Sequence, residues 1–199
     1  MKNIKNTELI LEIAKGLKSC NGFCHTTKKH LHGIRQTDIK ILDEETSKKL
    51  DREIGNYVSF AFNDILFFDV EAKEILCEKL KNSIKNLVKI NRIDAKRVLV
   101  VGLGNEKYAC DSLGKNVTDS ILVTKPYLDR GYFDSDKMAE IYAISLGVYG
   151  TTGLESSLTI KSIAKEIQPD LVIVVDSLVA SQTKNLALSI QLSDIYKFW

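Results

Sequence analysis

Two uninterrupted apolar runs constrain this chain more than any other feature. Val98-Leu-Val-Val101 leads into Gly102-Leu-Gly104-Asn105, and Leu171-Val-Ile-Val-Val175 leads into Asp176-Ser177. Half-buried strands alternate polar and apolar residues, whereas strands covered on both faces read as continuous Val, Ile and Leu. Both runs are therefore expected to be interior strands of a parallel sheet. The sequence between them supplies further elements: a helix over 117–123 that Pro126 helps to stop, a strand over 138–146 and a loop of small residues over 147–153. A helix over 154–167, ended by Gln168-Pro169, completes the alternation. Strand, helix, strand, helix, strand implies right-handed crossovers and a parallel sheet, the α/β class.

Upstream the pattern is looser. Ile4, Leu9, Ile10, Ile13, Ala14 and Leu17 fall at helical spacing, and residues 19–38 are polar and read as a loop. Short strands are expected over 39–42 and over 57–62, the second after a Gly55-Asn56 turn. Residues 70–90 form an amphipathic helix with Leu76, Leu80, Ile84, Leu87 and Val88 on one face.

Composition narrows the function classes. A chain of 199 residues, 44% hydrophobic and 27% charged, suits one globular α/β domain spanning 1–199. The net charge of +2, from 28 basic and 26 acidic residues, gives no strong field for nucleic acid or an anionic membrane. No apolar stretch is long enough to span a bilayer, and the N-terminus lacks the apolar stretch of a secretion signal. Four cysteines do not make a disulfide framework, so a cytoplasmic protein is expected.

Three constellations could carry chemistry. Gly102-Leu-Gly104 after a strand invites a dinucleotide reading, but the third glycine of that fingerprint is replaced by Lys107. Glycines serving a tight turn at a strand end account for the pattern, and no cofactor is expected. Cys20, Cys24, His25, His30 and His32 crowd one segment, a composition that could hold zinc, although the spacing fits no common finger. The neighbours Cys24 and His25 cannot easily both face one ion, so a solvated basic loop with reduced thiols competes with the metal site. The third constellation is Asp111 and Asp176, each following a strand-like run. The working edge of an open α/β sheet lies outside the carboxyl ends of its strands. Two carboxylates held close there cannot both ionise cheaply, so one can take a proton from water while the other donates. An aspartate after a strand also serves simply as a helix cap or turn former.

At these residues the chain resembles the spore germination protease family. The likeness is carried by Val98-Leu-Val-Val-Gly-Leu-Gly-Asn105, Asp111-Ser-Leu-Gly114, Leu122-Val-Thr124 and Gly147-Val-Tyr-Gly-Thr-Thr-Gly-Leu-Glu155. It continues through Lys165-Glu-Ile-Gln-Pro-Asp-Leu-Val-Ile-Val-Val-Asp176 and Ser189-Ile-Gln-Leu-Ser-Asp194, with Ile41-Leu-Asp-Glu-Glu45 and Gly55-Asn-Tyr-Val58 upstream. The resemblance implies a three-layer, twisted, mostly parallel sheet with helices on both faces, similar to hydrogenase maturation endopeptidases. It divides the chain into a variable segment over 1–38, a protease-like core over 39–194 and a divergent tail over 195–199.

The function so implied is an endopeptidase that starts the degradation of small acid-soluble spore proteins during germination, in the cytoplasm of the forespore and spore core. Members are zymogens and homotetramers, and their two catalytic aspartates match Asp111 and Asp176. Asn105, Gly147, Gly150, Thr151, Thr152 and Ser177 are the candidates to line the cleft, through backbone donors and short polar side chains. The chain departs from the pattern in three places. The likeness stops at Asp194, Lys115 stands where proline is usual, and Asn6-Thr-Glu-Leu9 replaces an Arg-Thr-Asp-Leu motif. The rival readings are a truncated, inactive relative acting as an interaction module, and a metalloprotein.

Overall fold

The structure, a computed structural model, describes residues 9, 10, 12, 22–63, 68–178 and 188–194. The helix expected over 1–18 falls largely outside the described residues, as do Cys20 and the tail over 195–199. The chain divides into two compact units, one of residues 1–90 with 178–199 and one of residues 91–177.

The first unit is built on an antiparallel sheet of β1 (Phe23–Lys29), β2 (Arg35–Ile41), β3 (Gly55–Ala61) and β7 (Ser189–Ser193), in the order β1-β2-β3-β7. The segment 19–38 is thus not a loop: most of it forms a hairpin in which Phe23 pairs with Ile41 and Lys29 with Arg35. Only Phe23 of β1 is buried, so the strand carries no apolar alternation. Its ladder with β2 alone defines it, and a ladder leaves no trace in side-chain periodicity.

Each face of this sheet has its own apolar cluster. Ile10 and Leu50 pack with Phe23, Ile39, Ile41 and Tyr57 on one face. Leu50 ends helix α1 (Glu44–Leu50), which Asp43 caps by accepting from the Thr46 N–H at 2.8 Å. On the other face Val58 and Phe60 receive Ala72 and Leu76 of helix α2 (Val70–Ile90). Leu80 joins this packing, but Ile84 stays 40% exposed. The last turns still face the sheet: Ser83 is buried, and Asn86, Leu87 and Ile90 line a pocket with Ile39, Tyr57 and Val58.

The second unit carries the parallel sheet, β5 (Glu140–Leu146), β4 (Arg97–Leu103) and β6 (Leu171–Val175), in the order β5-β4-β6. Both apolar runs are strands here; β4 is interior, as its continuity predicts, but β6 is an edge strand of the described sheet, with Val174 37% exposed. The α/β class follows, with parallel pairing confined to this unit and antiparallel pairing to the other. Central β4 is the most buried of the three, with Val98 to Val101 all under a tenth exposed.

Helix α3 (Leu113–Ser120) starts earlier than its apolar residues suggest, because Gly114 is its contact with the sheet. A Cβ added at Gly102 would lie 2.2 Å from the Gly114 carbonyl oxygen, and one at Gly114 2.3 Å from the Leu103 oxygen. Helix and strand therefore meet backbone to backbone. Pro126 does not stop this helix: it sits in the first turn of a separate helix, α4 (Lys125–Asp129), where its missing N–H costs nothing. The short α5 (Tyr149–Thr152) follows β5, and α6 (Ser156–Ile167) packs on β4, with Ile160 and Ala164 buried.

Two polar devices fix the amino edge of this sheet. Arg97 donates to the Ile167 carbonyl at 2.9 Å, pairs with Glu140 at 3.3 Å and receives the Asp170 carboxylate on its own N–H at 2.8 Å. Thr124, 2% exposed, donates to the Ala139 carbonyl at 2.6 Å and accepts from the Ile141 N–H at 2.8 Å.

Three substitutions check this packing. Gly114→Ala forces a methyl into backbone and should destabilise by at least about 1–3 kcal/mol in a denaturant titration. Gly150→Ala, where a Cβ meets nothing within 4 Å, should change stability by under about 0.5 kcal/mol. Thr124→Val keeps the shape but takes the partner from two part-buried backbone groups, and should cost about 1–3 kcal/mol in the same assay.

Candidate functional site

The register of the parallel sheet decides which loops can meet. Leu103 pairs with Leu146 and Gly102 with Val175, so β4, β5 and β6 end nearly level. The segments that follow them, 104–112, 147–153 and 176–178, leave from one carboxyl edge. All eight residues singled out in the sequence, from Asn105 to Ser177, lie on these three segments within one unit.

Asp111 is held by its own loop. It ends a single 3-10 turn, Ala109–Asp111, and its N–H donates to the Tyr108 carbonyl at 2.9 Å. Asn105 donates its backbone N–H to Asp111 Oδ2 at 2.8 Å, while its side chain accepts from the Lys107 N–H at 3.1 Å. Gly104 makes this closure possible: at φ +117 it takes a conformation that L side chains rarely adopt. A Cβ there would stand 2.1 Å from the Asp111 carbonyl oxygen. The half-buried carboxylate is thus anchored through Oδ2, and among the described residues Oδ1 accepts no hydrogen bond.

Asp176 comes directly after Val175, one residue beyond the pairing with Gly102, and is exposed. Its Oδ1 accepts from the Ser177 N–H at 2.7 Å. The two aspartates therefore follow adjacent strands. The connection from β4 goes to β5 on one side, and the chain then crosses to β6 on the other. That reversal is a topological switch point, and it lies between β4 and β6.

The loop after β5 is folded on itself. Thr151 and Thr152 donate their hydroxyls to the Val148 carbonyl at 2.9 and 3.2 Å, and Gly147 lets the turn close, since a Cβ there would be 2.9 Å from Thr152 Cγ2. Gly150 is open on its outer side. Sequence reasoning passed over Tyr108 and Tyr149, each 62% exposed, which stand on the same loops, and Leu154, 61% exposed, directly after the second. The available signal was a large apolar residue inside a loop of small ones.

The glycines have structural roles: Gly102 admits helix α3 and Gly104 turns the chain. The Cys/His segment is dispersed among separate partners: Cys24 is exposed on β1, and His30 Nε2 meets Gln36 Oε1 at 3.1 Å. Among the described residues no group of three ligating side chains forms, and no helix is long and apolar enough to cross a membrane.

Comparison with known proteins agrees with this layout. The family described as germination protease matches residues 4–196. A germination protease of Caldanaerobacter subterraneus subsp. tengcongensis is 33% identical over 81% of the chain and 50% of its own length. That of Clostridium tetani is 31% identical over 81% and 50%, and that of Oceanobacillus iheyensis 32% identical over 94% and 54%. The chain spans about half the length of the curated relatives it matches. With both aspartates, their glycine turns and the parallel sheet inside the matched region, this chain belongs to the germination protease family.

Proposed function

We propose that the chain is an endopeptidase that cleaves small acid-soluble spore proteins during germination, using Asp111 and Asp176 as a water-activating pair. The observation that carries this reading is the position of two carboxylates on loops leaving adjacent strands, at the edge where open α/β sheets take their ligands. Family membership supports peptide-bond hydrolysis.

In this reading one carboxylate accepts a proton from the shared water as its oxygen attacks the peptide carbonyl carbon. The partner, protonated, donates to the carbonyl oxygen. Collapse of the tetrahedral intermediate then passes a proton to the leaving amine. Asn105 has a positioning role, since its N–H fixes one oxygen of Asp111. Gly147, Gly150, Thr151, Thr152 and Ser177 border the cleft and present backbone to an extended substrate. The enzyme works in the spore cytoplasm as a homotetramer made from a zymogen, with no membrane or nucleic-acid partner, and these points rest on family membership alone.

Incubation with a purified α/β-type small acid-soluble spore protein tests the proposal. Discrete cleavage products are expected from the unaltered chain. Asp176→Asn should slow their appearance by about 10²–10⁴-fold, the range of a lost general acid or base. Equal rates for the two proteins, including an equal lack of cleavage, overturn the catalytic assignment.

A further inference from the structure

Strand β1 stands at the margin of the first unit's sheet, paired with β2 alone. The phase of that ladder is fixed at both ends. The Leu42 N–H donates to the Gly22 carbonyl at 3.0 Å, and the His30 N–H to the Ile34 carbonyl at 2.8 Å. Both bonds continue the register that sets Phe23 against Ile41 and Lys29 against Arg35. Facing residues of an antiparallel pair alternate between exchanging hydrogen bonds and turning their main chain away. The even-numbered residues of β1 therefore bond to β2, and the odd-numbered ones direct their N–H and C=O outward. Phe23 is fully buried, whereas His25, Thr27 and Lys29 are exposed. Among the described residues nothing bonds to the main chain of these three.

The charge around this open edge selects what can pair with it. Edge strands are commonly blunted with lysine, and Lys28 and Lys29 do so against a second copy. Two β1 strands set antiparallel would gather four lysines with no acidic residue on either strand. Toward an acidic strand the same lysines attract. The hairpin over 23–41 carries Lys28, Lys29, Arg35 and Lys40 against Asp38 alone. Asp38 is already engaged, accepting from Gln36 Nε2 at 2.7 Å and facing Lys28 at 3.4 Å.

A strand added here would alternate its side chains between two faces. One carries His25, Thr27 and Lys29; the other carries Cys24, Thr26 and Lys28, and each ends on a lysine. The second face continues into a cavity of about 340 Å³ beside the last turns of α2, which Lys40, Asn86, Leu87 and Ile90 also line. That volume is in the range of ligand pockets. Main-chain pairing at an open edge with a pocket for alternate side chains is a recurrent way of holding an extended peptide.

We infer that β1 is a docking edge for an extended acidic segment of another protein, which adds to the sheet as a further strand beside His25, Thr27 and Lys29. Cross-strand pairs with Lys28 and Lys29 set its charge preference. The cavity beside α2 takes a side chain from one of its faces. This surface is separate from the proteolytic reading, since it uses residues of the other unit.

The test titrates the full chain with a seven-residue peptide of alternating valine and glutamate, blocked at both ends, and follows backbone amide exchange by NMR. The His25, Thr27 and Lys29 amides should exchange freely without peptide and become protected as it binds. A lysine-for-glutamate peptide should give no protection, and the acidic peptide methylated on every backbone nitrogen should bind at least about tenfold more weakly. Thr27→Pro removes an outward N–H that the β1–β2 ladder does not use, and should weaken binding to a similar extent. Lys29→Glu should weaken it at least about threefold at low salt. Unchanged exchange at the three amides under millimolar acidic peptide overturns the inference, as does equal binding of the lysine peptide or of the methylated one. Protection that rises with protein concentration alone assigns the edge to a second copy and overturns it too.

Discussion

Backbone touches backbone where α3 crosses β4, and the layout of the candidate site depends on that contact. With no side chain at Gly102 or Gly114, the helix lies against the strand at a distance that any Cβ would forbid. The loop joining them must then return sharply within 104–112. Gly104 turns it at φ +117, and Asn105 clasps the carboxylate that arrives at its end. The position of Asp111 is thus set by three glycines and two hydrogen bonds, one from the Asn105 N–H and one to the Tyr108 carbonyl. A one-methyl change at any of these glycines would act on the carboxylate through the backbone.

The carboxyl edge of the sheet is correspondingly free for chemistry, because order is imposed from the opposite edge. Arg97 gathers the end of α6, the start of β5 and the start of β6, while Thr124 fixes the entry to β5 from a buried position. Salt bridges as exposed as that of Arg97 and Glu140 contribute little individually. The buried Thr124 and the carbonyl capping by Arg97 matter more, since each satisfies backbone groups that would otherwise go without partners. The loops at the carboxyl edge can then be short and polar without loosening the strands.

Much of the second unit was legible in the sequence because β4 and β6 announce themselves as runs of Val, Ile and Leu, although only central β4 is buried along its length. The strand over 171–175 matches its apolar run residue for residue. Both aspartates were found by the same logic, as polar residues beyond the end of an apolar run. What stayed illegible was held by interactions that leave no periodic mark. Strand β1 exists through its ladder with β2, the α3 contact exists through absent side chains, and Pro126 starts a helix because Thr124 is pinned to the next strand. The Gly55-Asn56 and Ser193-Asp194 motifs carried the resemblance without a stated role. The structure gives them one: Asp194 accepts from the Asn56 side-chain amide at 2.7 Å and donates its own N–H to the Asn56 carbonyl at 3.1 Å, closing β7 onto β3.

The central claim is that Asp111 and Asp176 act as one unit, and a double-mutant cycle on cleavage rates tests it most directly. If they share a water, Asp111→Asn combined with Asp176→Asn should be little slower than the slower single variant, because removing either member already disables the pair. Rate losses that multiply would contradict the account, as would an Asp111→Asn variant that cleaves at the rate of the unaltered chain.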